Sequence, residues 1–478
     1  MPALPPKAPA EIRKAPLPSA NDSTRGFWDA DKNNFQPRIG IAYQVSNKLV
    51  LRGGWGQYTV PFVTDGTNQP GFSQATNIVP TLNNGLTFVA NLTNPFPSGV
   101  ASPPGASQGL ATFIGRDINF FPVTTHNTQS QRWEFGLQYE LPGQWLVEAA
   151  YVGNRAYDGV VNVNINSIPQ KYLSTLAVRD TAQVAFLGAL VSNPFVNQAP
   201  GTTLNSSTIA RSQLLRPFPQ FGDITSRRND AKSIYHSAQF RAERRFTKGY
   251  TLLAAYTFSK FIVQDNPLNP TDVNLERRLS DADIPHRVVV SGILELPFGH
   301  GRLVGKNWNS VLNGVLGGWQ VQGIWQAQSG RTNLTLGNIY FNGDPTKLKA
   351  TINGNNVDRT FDTSGFYFSD AAVQTNGVID PAKQRADQRI RLASNLRTLA
   401  SRFPGFRGQG LNLAELSVIK NISITETVRF QLRGEFLNAF NHPVFNNPNL
   451  DPTNTNFGKS TSMQNLPRNV QIGLKLTF

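Results

Sequence analysis

The side chains that most often carry catalysis or bind metals are scarce in this sequence of 478 residues. It has no cysteine and five histidines, and no histidine stands in an HExxH motif. Zinc–thiolate sites, thiol nucleophiles and disulfides are therefore excluded. Asp283 precedes His286 by three residues, but its surroundings indicate the start of a strand. We predict a protein that is not an enzyme, with no catalytic residue, no metal ligand and no cofactor; the histidines are His126, His236, His286, His300 and His442.

Two short strings near the C-terminus partly match binding loops. TNTNFGKS (453–460) ends like a phosphate-binding loop, but Thr453 stands where that loop requires its first glycine. DPTNTN (451–456) begins like a calcium loop and lacks the later glycine and glutamate. No arrangement of a nucleophile with a neighbouring base stands out in the sequence. Chance matches explain both strings better than binding sites do.

Charged and amide side chains recur at every second position in several segments. In RWEFGLQYEL (132–141) they alternate strictly with aromatic and aliphatic residues. Two interpretations stay open: these side chains pair with one another along a water-facing wall, or some of them bind an anionic ligand. The net charge of +15 is spread along the chain, which disfavours nucleic-acid binding. The polar candidates are Arg132, Arg241, Glu243, Arg245, Gln322, Gln326, Arg429, Arg433 and Glu435.

The elements that position these side chains are predicted β-hairpins, because alternation with period two gives a strand one apolar and one polar face. Short turns such as PGQ at 142–144 join the paired strands. The final segment NVQIGLKLTF (469–478) alternates in the same way. The predicted hairpins cover 37–58, 132–153, 237–260 and 411–440, with a looser pair at 284–299 and 317–330.

Short turns and long connections alternate along the chain. The long connections are rich in Asn, Gly, Pro and Thr, and loops of that length are uncommon in compact domains. Tight turns at one end and large loops at the other are typical of transmembrane β-barrels, and strands of about 10–14 residues suit a tilted bilayer crossing. A soluble β-sandwich or propeller does not explain why only alternate loops are long. The long connections are 61–128, 157–231, 261–283, 331–408 and 441–466.

Aromatic residues near the strand ends agree with a barrel, because membrane barrels carry aromatic girdles at both interfaces. The general preference of aromatic residues for strands is the alternative explanation. The predicted girdle residues are Trp55, Tyr58, Trp133, Tyr139, Trp145, Tyr151, Tyr250, Tyr256, Trp319 and Trp325.

Composition supports an ordered chain with strands that face two environments. Hydrophobic residues make up 39% and charged residues 16%, while 31 Phe, 11 Tyr and 7 Trp argue against general disorder. No apolar run approaches the roughly 18 residues of a transmembrane helix. Residues 1–30 are rich in Pro and Ala without an apolar signal-peptide core, and are predicted to be a disordered tail or loop remnant.

The pattern yields about eleven strands, whereas single-chain bacterial barrels close with an even number. We therefore expect residues 31–478 to form about the C-terminal half of a larger barrel. The chain would then be a truncated gene product or come from an incomplete gene prediction.

Seven strings, in order, resemble the barrel region of Oar-like TonB-dependent receptors, which are large outer-membrane proteins of Gram-negative bacteria. The resemblance begins near residue 30 and reaches the terminal strand. The strings lie at 33–58, 131–156, 214–224, 235–260, 283–302, 317–331 and 429–449.

The resemblance implies a full-length protein with a signal peptide, an Ig-like carboxypeptidase-regulatory domain, a plug and a 22-stranded barrel. TonB would supply energy through the plug, which this chain lacks, and plug carboxylates become further candidate partners for the basic strand residues. The implied location is the outer membrane, in contact with its lipid and lipopolysaccharide. The resemblance also implies that Phe478, a terminal aromatic on an alternating strand, is the signal read by the barrel-assembly machinery.

Three functions follow from these observations. The first is an outer-membrane barrel segment of a TonB-dependent transporter or receptor that binds or moves a large, unidentified substrate. The second is a surface barrel that serves adhesion or structure without transport. The third is a secreted β-rich hydrolase, which would need a carboxylate pair that the sequence does not offer.

Overall fold

The computed structural model describes residues 29–478 except 30, 62–77, 79–85, 98, 101, 104, 106, 108–112, 121, 123, 200–201, 248, 367–373, 376–377, 380–390 and 426. The predicted tail at 1–30 therefore lies almost entirely outside the described residues. Strands dominate the described part. They are β1 (Arg38–Ser46), β2 (Leu49–Val60), β3 (Ile118–Phe120), β4 (Thr128–Leu141), β5 (Trp145–Asn164), β6 (Leu190–Ser192), β7 (Thr208–Ala210), β8 (Ile224–Thr247), β9 (Tyr250–Gln264), β10 (Arg278–Leu279), β11 (His286–Glu295), β12 (Trp319–Gln328), β13 (Gln374–Thr375), β14 (Val378–Ile379), β15 (Leu411–Ser423), β16 (Arg429–Leu437) and β17 (Asn469–Thr477).

The described helices are short. They are α1 (Thr181–Gly188), α2 (Arg211–Leu214) and α3 (Ser310–Leu316), with single 3-10 turns at Gln170–Tyr172, Thr203–Asn205, Pro345–Lys347 and Ser364–Phe366. None of the helices in the described part of the chain is long and apolar enough to cross a bilayer.

One large sheet forms an antiparallel meander, which we call the strand wall. Its strands follow the order β1-β2-β4-β5-β8-β9-β11-β12-β15-β16-β17, while β10 and β3 pair beside β9 and β8. This order confirms every predicted hairpin, and the eleven strands of the meander agree with the estimate of about eleven strands. β10 and β3, which bring this sheet to 13 strands, were not predicted, and β3 is parallel to β8. The PGQ turn between β4 and β5 places Gly143 and Gln144 at φ 82° and 64°, in the left-handed region that glycine favours.

The prediction that 157–231 is a loop throughout was wrong at both ends. β5 runs for 20 residues and β8 for 24, so the two strands together extend well into that stretch. Register shifts between Ala156 and Gly159, and again before Val161, interrupt the alternation that marks a strand in the sequence. At ~3.3 Å per residue β8 spans roughly 80 Å, far beyond the ~30 Å of a hydrocarbon core. The β5–β8 pair therefore projects past any membrane-sized band.

Cross-strand register assigns each wall residue to a face, because directly opposed residues point the same way. The apolar face includes Ile41, Leu51, Phe135, Ala149, Phe240, Tyr256, Val288, Trp325, Leu416, Phe436 and Val470. The polar face includes Arg52, Gln138, Glu148, Arg241, Gln322, Ser417, Glu435 and Gln471.

The long connections pack together at the end of the wall opposite the short turns. We call them the loop assembly (described residues of 165–223, 265–285, 329–410 and 438–468). Its main core consists of almost fully enclosed apolar side chains. Phe361 is at its centre, with ring centroids 4.9 Å from Phe406 and 5.4 Å from Phe457. The core members are Leu334, Leu336, Ile339, Leu348, Phe361, Phe366, Phe403, Phe406 and Phe457.

Hydrogen bonds join separate loops of the assembly. The backbone N–H of Ser174 donates to Ser394 O at 2.8 Å, and the N–H of Leu396 donates to Ser174 O at 2.8 Å. The Asn395 side chain donates to the carbonyls of Leu176 and Val178. Residues more than 200 positions apart are thereby held together, so the long loops form one packed layer instead of separate hairpin tips.

Candidate functional site

The predicted polar candidates lie on the polar face, with one exception. Arg132 is opposite Asn154, Gln322 is opposite Ser417, and Ser417 is opposite Glu435. Gln326, Arg429 and Arg433 follow the same alternation on their strands. Arg245 lies in the β-bulge between Arg244 and Thr247, so the register does not assign its side chain to either face.

Ion pairs on the polar face connect neighbouring strands. The Arg241 guanidinium lies 2.6 Å from Glu243 and 3.5 Å from Glu148, which is directly opposite it on β5. All three side chains are partly solvent-exposed, and such pairs contribute about 0–1 kcal/mol each. The cluster therefore stabilises the wall only modestly while keeping a hydrated, mixed-charge surface.

A similar group lies on the last strand pair. Arg433 lies 3.2 Å from the carboxylate of Glu435 and donates to Gln431 at 3.1 Å. Gln431 in turn donates to Asn421 on β15 at 2.8 Å. Hydrogen bonds thus run across the polar face of β15 and β16.

Arg132 has a different environment, which the sequence pattern did not indicate. Its guanidinium carbon lies 5.2 Å from the ring centroid of Tyr58, and that of Arg38 lies 4.7 Å from the same ring. The prediction that Tyr58 belongs to the membrane girdle was wrong, because Tyr58 is opposite Ser130 on the polar face. Among the described residues, neither arginine forms an ion pair with a carboxylate.

A hollow on the polar face was also missed. Its volume is about 480 Å³, and its lining includes the apolar side chains of Leu253, Ile293 and Ile324. Glu415 and Glu435 line it as well. Single apolar residues among polar ones carry no periodic signal, so only the pairing of distant strands brings them together.

On the apolar face the aromatic side chains form two rows. On the side of the loop assembly, Trp55 is opposite Trp133, and Tyr256 lies in stacked contact with His286. Near the short turns, Trp145 is opposite Leu141, and Tyr250 is opposite Leu294. The band between the two rows carries aliphatic residues, alanine and glycine, such as Leu137, Ala149, Leu252 and Gly323. This arrangement agrees with the girdle expected at two membrane interfaces.

Two basic residues accompany the row near the short turns. Arg244 is 6% exposed, lies 3.6 Å from the Tyr250 ring centroid and donates from Nε to Gly143 O at 3.0 Å. Lys420 lies over the Trp319 ring at 5.5 Å, and its Nζ donates to Gly317 O. Long basic side chains at the end of an apolar band direct their charged groups away from it, and here each donates a hydrogen bond to a backbone carbonyl. Arg244 Nη1 is buried without a hydrogen-bond partner among the described residues.

Asp283, which the sequence placed at a strand start, anchors the loop assembly to the wall. Its side chain is 1% exposed and lies 2.7 Å from Arg407 Nη2. Its other oxygen accepts from the N–H of Phe261 at 2.7 Å, and Arg407 Nη1 donates to Gly330 O. Nearby, Arg278 lies 2.7 Å from Asp265. In the described part of the chain, no group of three or more His, Asp or Glu side chains could hold a metal ion.

Comparison with protein families matches the profile described as "Outer membrane beta barrel domain" to residues 7–471. The chain belongs to the outer membrane β-barrel domain family. The predictions of an all-β, antiparallel outer-membrane barrel fold and of an outer-membrane location are confirmed. No curated protein matches the sequence.

Solved structures of three outer-membrane proteins are similar at low identity. The outer membrane transporter YddB of Escherichia coli is 10% identical, with 93% of this chain and 40% of that chain covered and a TM-score of 0.42. The siderophore receptor PirA of Acinetobacter baumannii is 10% identical, with 93% of this chain and 41% of that chain covered and a TM-score of 0.41. The iron transporter FrpB (F3-3 variant) of Neisseria meningitidis is 10% identical, with 92% of this chain and 38% of that chain covered and a TM-score of 0.36. This chain spans about two fifths of the length of these proteins.

Proposed function

We propose that this chain forms part of the barrel wall of a TonB-dependent transporter or receptor, of the Oar-like kind, which binds or moves a large substrate across the outer membrane. The observation that supports this proposal most strongly is that the chain belongs to an outer-membrane barrel family and that its strand wall has one apolar and one polar face. With the apolar face toward lipid, the polar face with Arg132, Arg241 and Glu435 lines an aqueous interior. The loop assembly then lies on the extracellular side, because barrels place their long loops there.

We further propose that additional strands complete the barrel. Within the described chain, β1 pairs only with β2 and β17 only with β16. The eleven wall strands alternate in direction, so β1 and β17 run the same way. Pairing them with each other would make a parallel contact in a wall that is otherwise antiparallel. An odd number of further strands between them restores antiparallel pairing and closes both edges.

Phe478 is proposed as the signal for the barrel-assembly machinery. It is 93% exposed and directly follows β17, whose apolar residues Val470, Ile472 and Leu474 continue the alternation to the chain end. TonB would act only through a plug domain.

A second function, surface adhesion without transport, is favoured by one observation. The loop assembly has its own apolar core around Phe361 and would present a well-ordered surface to other molecules. Adhesion needs such a surface and does not need an energised interior.

The test locates the native protein in its host with an antibody against the loop assembly. We expect outer-membrane fractionation, heat-modifiable gel mobility and recovery of TonB after crosslinking. A soluble, heat-insensitive protein would contradict the barrel. If the protein is in the outer membrane but never crosslinks to TonB, the transport proposal is wrong and adhesion becomes the better proposal.

A further inference from the structure

The connection between β11 and β12, residues 296–318, is unlike the tight turns at the same end of the wall. The PGQ turn has three residues, whereas this connection is long enough to contain α3. It lies at the short-turn end because Leu294, near the end of β11, is opposite Tyr250 at the start of β9. The β11–β12 connection is therefore at the end of the wall away from the loop assembly.

One face of α3 is apolar and exposed. Its side chains recur at the one-residue and four-residue spacings that place them on the same side of a helix. Val311 is 77% and Val315 61% exposed, and Leu303, earlier in the same connection, is 84% exposed. No segment of the described chain covers this surface. We call it the α3 face, and it consists of Val311, Leu312, Val315 and Leu316.

Hydrogen bonds hold α3 in place, so a loose segment does not account for this exposure. The side-chain oxygen of Asn309 accepts from the N–H of Leu312 at 2.8 Å and caps the helix. The Asn313 side chain accepts from the N–H of His300 at 2.9 Å, which ties the helix to the first part of the connection. The α3 face is therefore presented in one defined direction.

Contacts at the end of α3 place the helix on the lipid side of the wall. Trp319 belongs to the apolar face, and its Nε1 donates to Val315 O at 2.9 Å. Lys420, directly opposite Trp319, donates from Nζ to Gly317 O. Both side chains reach the helix from the apolar face, so the apolar band of the wall continues onto α3.

The charges of the connection are arranged differently on its two sides. Residues 296–318 contain no aspartate or glutamate. Arg302 lies 2.7 Å from Glu295 of the polar face, so this pair is on the interior side. Lys306 is exposed and pairs with no carboxylate in the described part of the chain. An apolar helix face beside a basic segment that contains a tryptophan, here Trp308, is typical of helices that lie in a membrane interface.

We propose that α3 lies in the interface of the inner leaflet of the outer membrane, with its apolar face against phospholipid acyl chains and Lys306 among the anionic headgroups. This inference rests on the proposed function, which sets the short turns on the periplasmic side. Interfacial helices bury their apolar face about 5–10 Å into the boundary of headgroups and acyl chains. The helix thereby extends the lipid contact of β11 and β12 beyond the strands and fixes the depth of this part of the wall.

The experiment measures the depth of α3, and the absence of cysteine from the sequence makes it direct. The native outer-membrane protein with Val311→Cys or Val315→Cys is purified from its host, labelled with an environment-sensitive fluorophore and reconstituted into phospholipid vesicles. Ser310→Cys is the matched control, because Ser310 is exposed on the opposite side of the same helix. We expect blue-shifted emission at 311 and 315, with stronger quenching by a nitroxide near the lipid glycerol than by one at the bilayer centre, and water-like emission at 310.

A second arm tests the charge. In the Val311→Cys protein, Lys306→Gln should reduce the blue shift in vesicles that contain anionic phosphatidylglycerol and leave it unchanged in vesicles of phosphatidylcholine alone. Lys349→Gln, which removes the same charge from the exposed surface of the loop assembly, should leave it unchanged in both. Equal effects of Lys306→Gln in the two kinds of vesicle would overturn the contact of Lys306 with anionic headgroups.

Three results would overturn the inference and leave the proposed function standing, provided that the protein reaches the outer membrane and keeps heat-modifiable mobility. The first is water-like emission at all three positions. The second is a blue shift that disappears as the protein is diluted with lipid, since a second copy would then cover the α3 face. The third is protection of 311 in native membranes that is lost in pure phospholipid vesicles, since a partner protein would then cover it. A protein absent from the outer membrane would overturn both proposals.

Discussion

Large apolar side chains are exposed on the strand wall and buried in the loop assembly. In the wall, Ile472 is 75% and Phe240 50% exposed, although both belong to regular strands. In the loop assembly, Phe366 and Phe406 are almost completely enclosed, although few regular elements surround them. A soluble protein would show the reverse, with its core beneath the sheet.

The difference shows which solvent each region meets. Lipid chains solvate the apolar face, so the apolar side chains of the wall do not need to be buried in a hydrophobic core. Backbone hydrogen bonds between neighbouring strands hold the wall together. The loop assembly meets water, where burial of apolar area drives packing. The chain therefore places its conventional hydrophobic core in its connections. The predictions below follow from this contrast.

The largest effect is expected in the loop core. Phe406→Ala removes an enclosed ring that packs against Phe361, and should destabilise the loop assembly by about 3–5 kcal/mol. Hydrogen exchange of the backbone amides in 329–410 measures this loss. The matched Phe240→Ala on the apolar face should leave that exchange unchanged. Equal effects from both variants would mean that the two regions share one core.

The buried ion pair of Asp283 and Arg407 comes next; it joins two segments of the loop assembly, and Asp283 also accepts from the N–H of Phe261 in the wall. Arg407→Ala leaves the Asp283 carboxylate buried without its partner and should cost about 3–5 kcal/mol. Limited proteolysis of the loop assembly reports the change.

The exposed pair of Arg359 and Asp362 is the control, and Arg359→Ala should cost at most about 1 kcal/mol. If Arg407→Ala proved equally mild, the anchoring role of Asp283 would be wrong.

Adjacent alanines on β9 compare the two faces of the wall. Ala254 is opposite Val290 on the apolar face and lies between Tyr250 and Tyr256 of the two aromatic rows, whereas Ala255 is opposite Arg241 on the polar face. Ala254→Lys should cost about 2–4 kcal/mol in lipid vesicles. Ala255→Lys should cost below about 1 kcal/mol. If urea unfolding showed the same loss of unfolding free energy for both variants, the assignment of one face to lipid and the other to water would be wrong.

The smallest effect concerns pH in the loop assembly. A hydrogen bond from Arg391 at 2.5 Å, with further ones from Thr453, lowers the pKa of Asp451 from 3.8 to about 2. Since folding lowers this pKa, the stabilisation is fully present above about pH 4 and is lost as the pH falls through about 2. Asp451→Asn should remove this step from a pH series of proteolysis at 441–466. If the variant still showed a pH-dependent change in proteolysis of the same size, that change would come from titratable groups other than Asp451.

The sequence could predict the wall because alternation is a local signal. Residues 132–141 and 469–478 show their two faces directly, and short turns such as PGQ fix the pairing of neighbours. The polar candidates followed from the same parity, and Arg245 could not be placed because a bulge ends the alternation near it.

Contacts between distant segments had no comparable signal. Asp283 and Arg407 are 124 residues apart, and the pairing of Tyr58 with two arginines depends on three strands in register. The loop core likewise combines phenylalanines from separate connections without any period. The outer ends of β5 and β8 were missed because register shifts disturb the pattern there.

The most direct test of the two-faced wall uses the absence of cysteine from the sequence. Single cysteines placed in turn at 252–257 of β9 in the native outer-membrane protein are labelled with a water-soluble, charged thiol reagent. We predict labelling at 253, 255 and 257, which lie on the polar face, and protection at 252, 254 and 256, which face lipid. Uniform labelling, or the opposite alternation, would contradict the account.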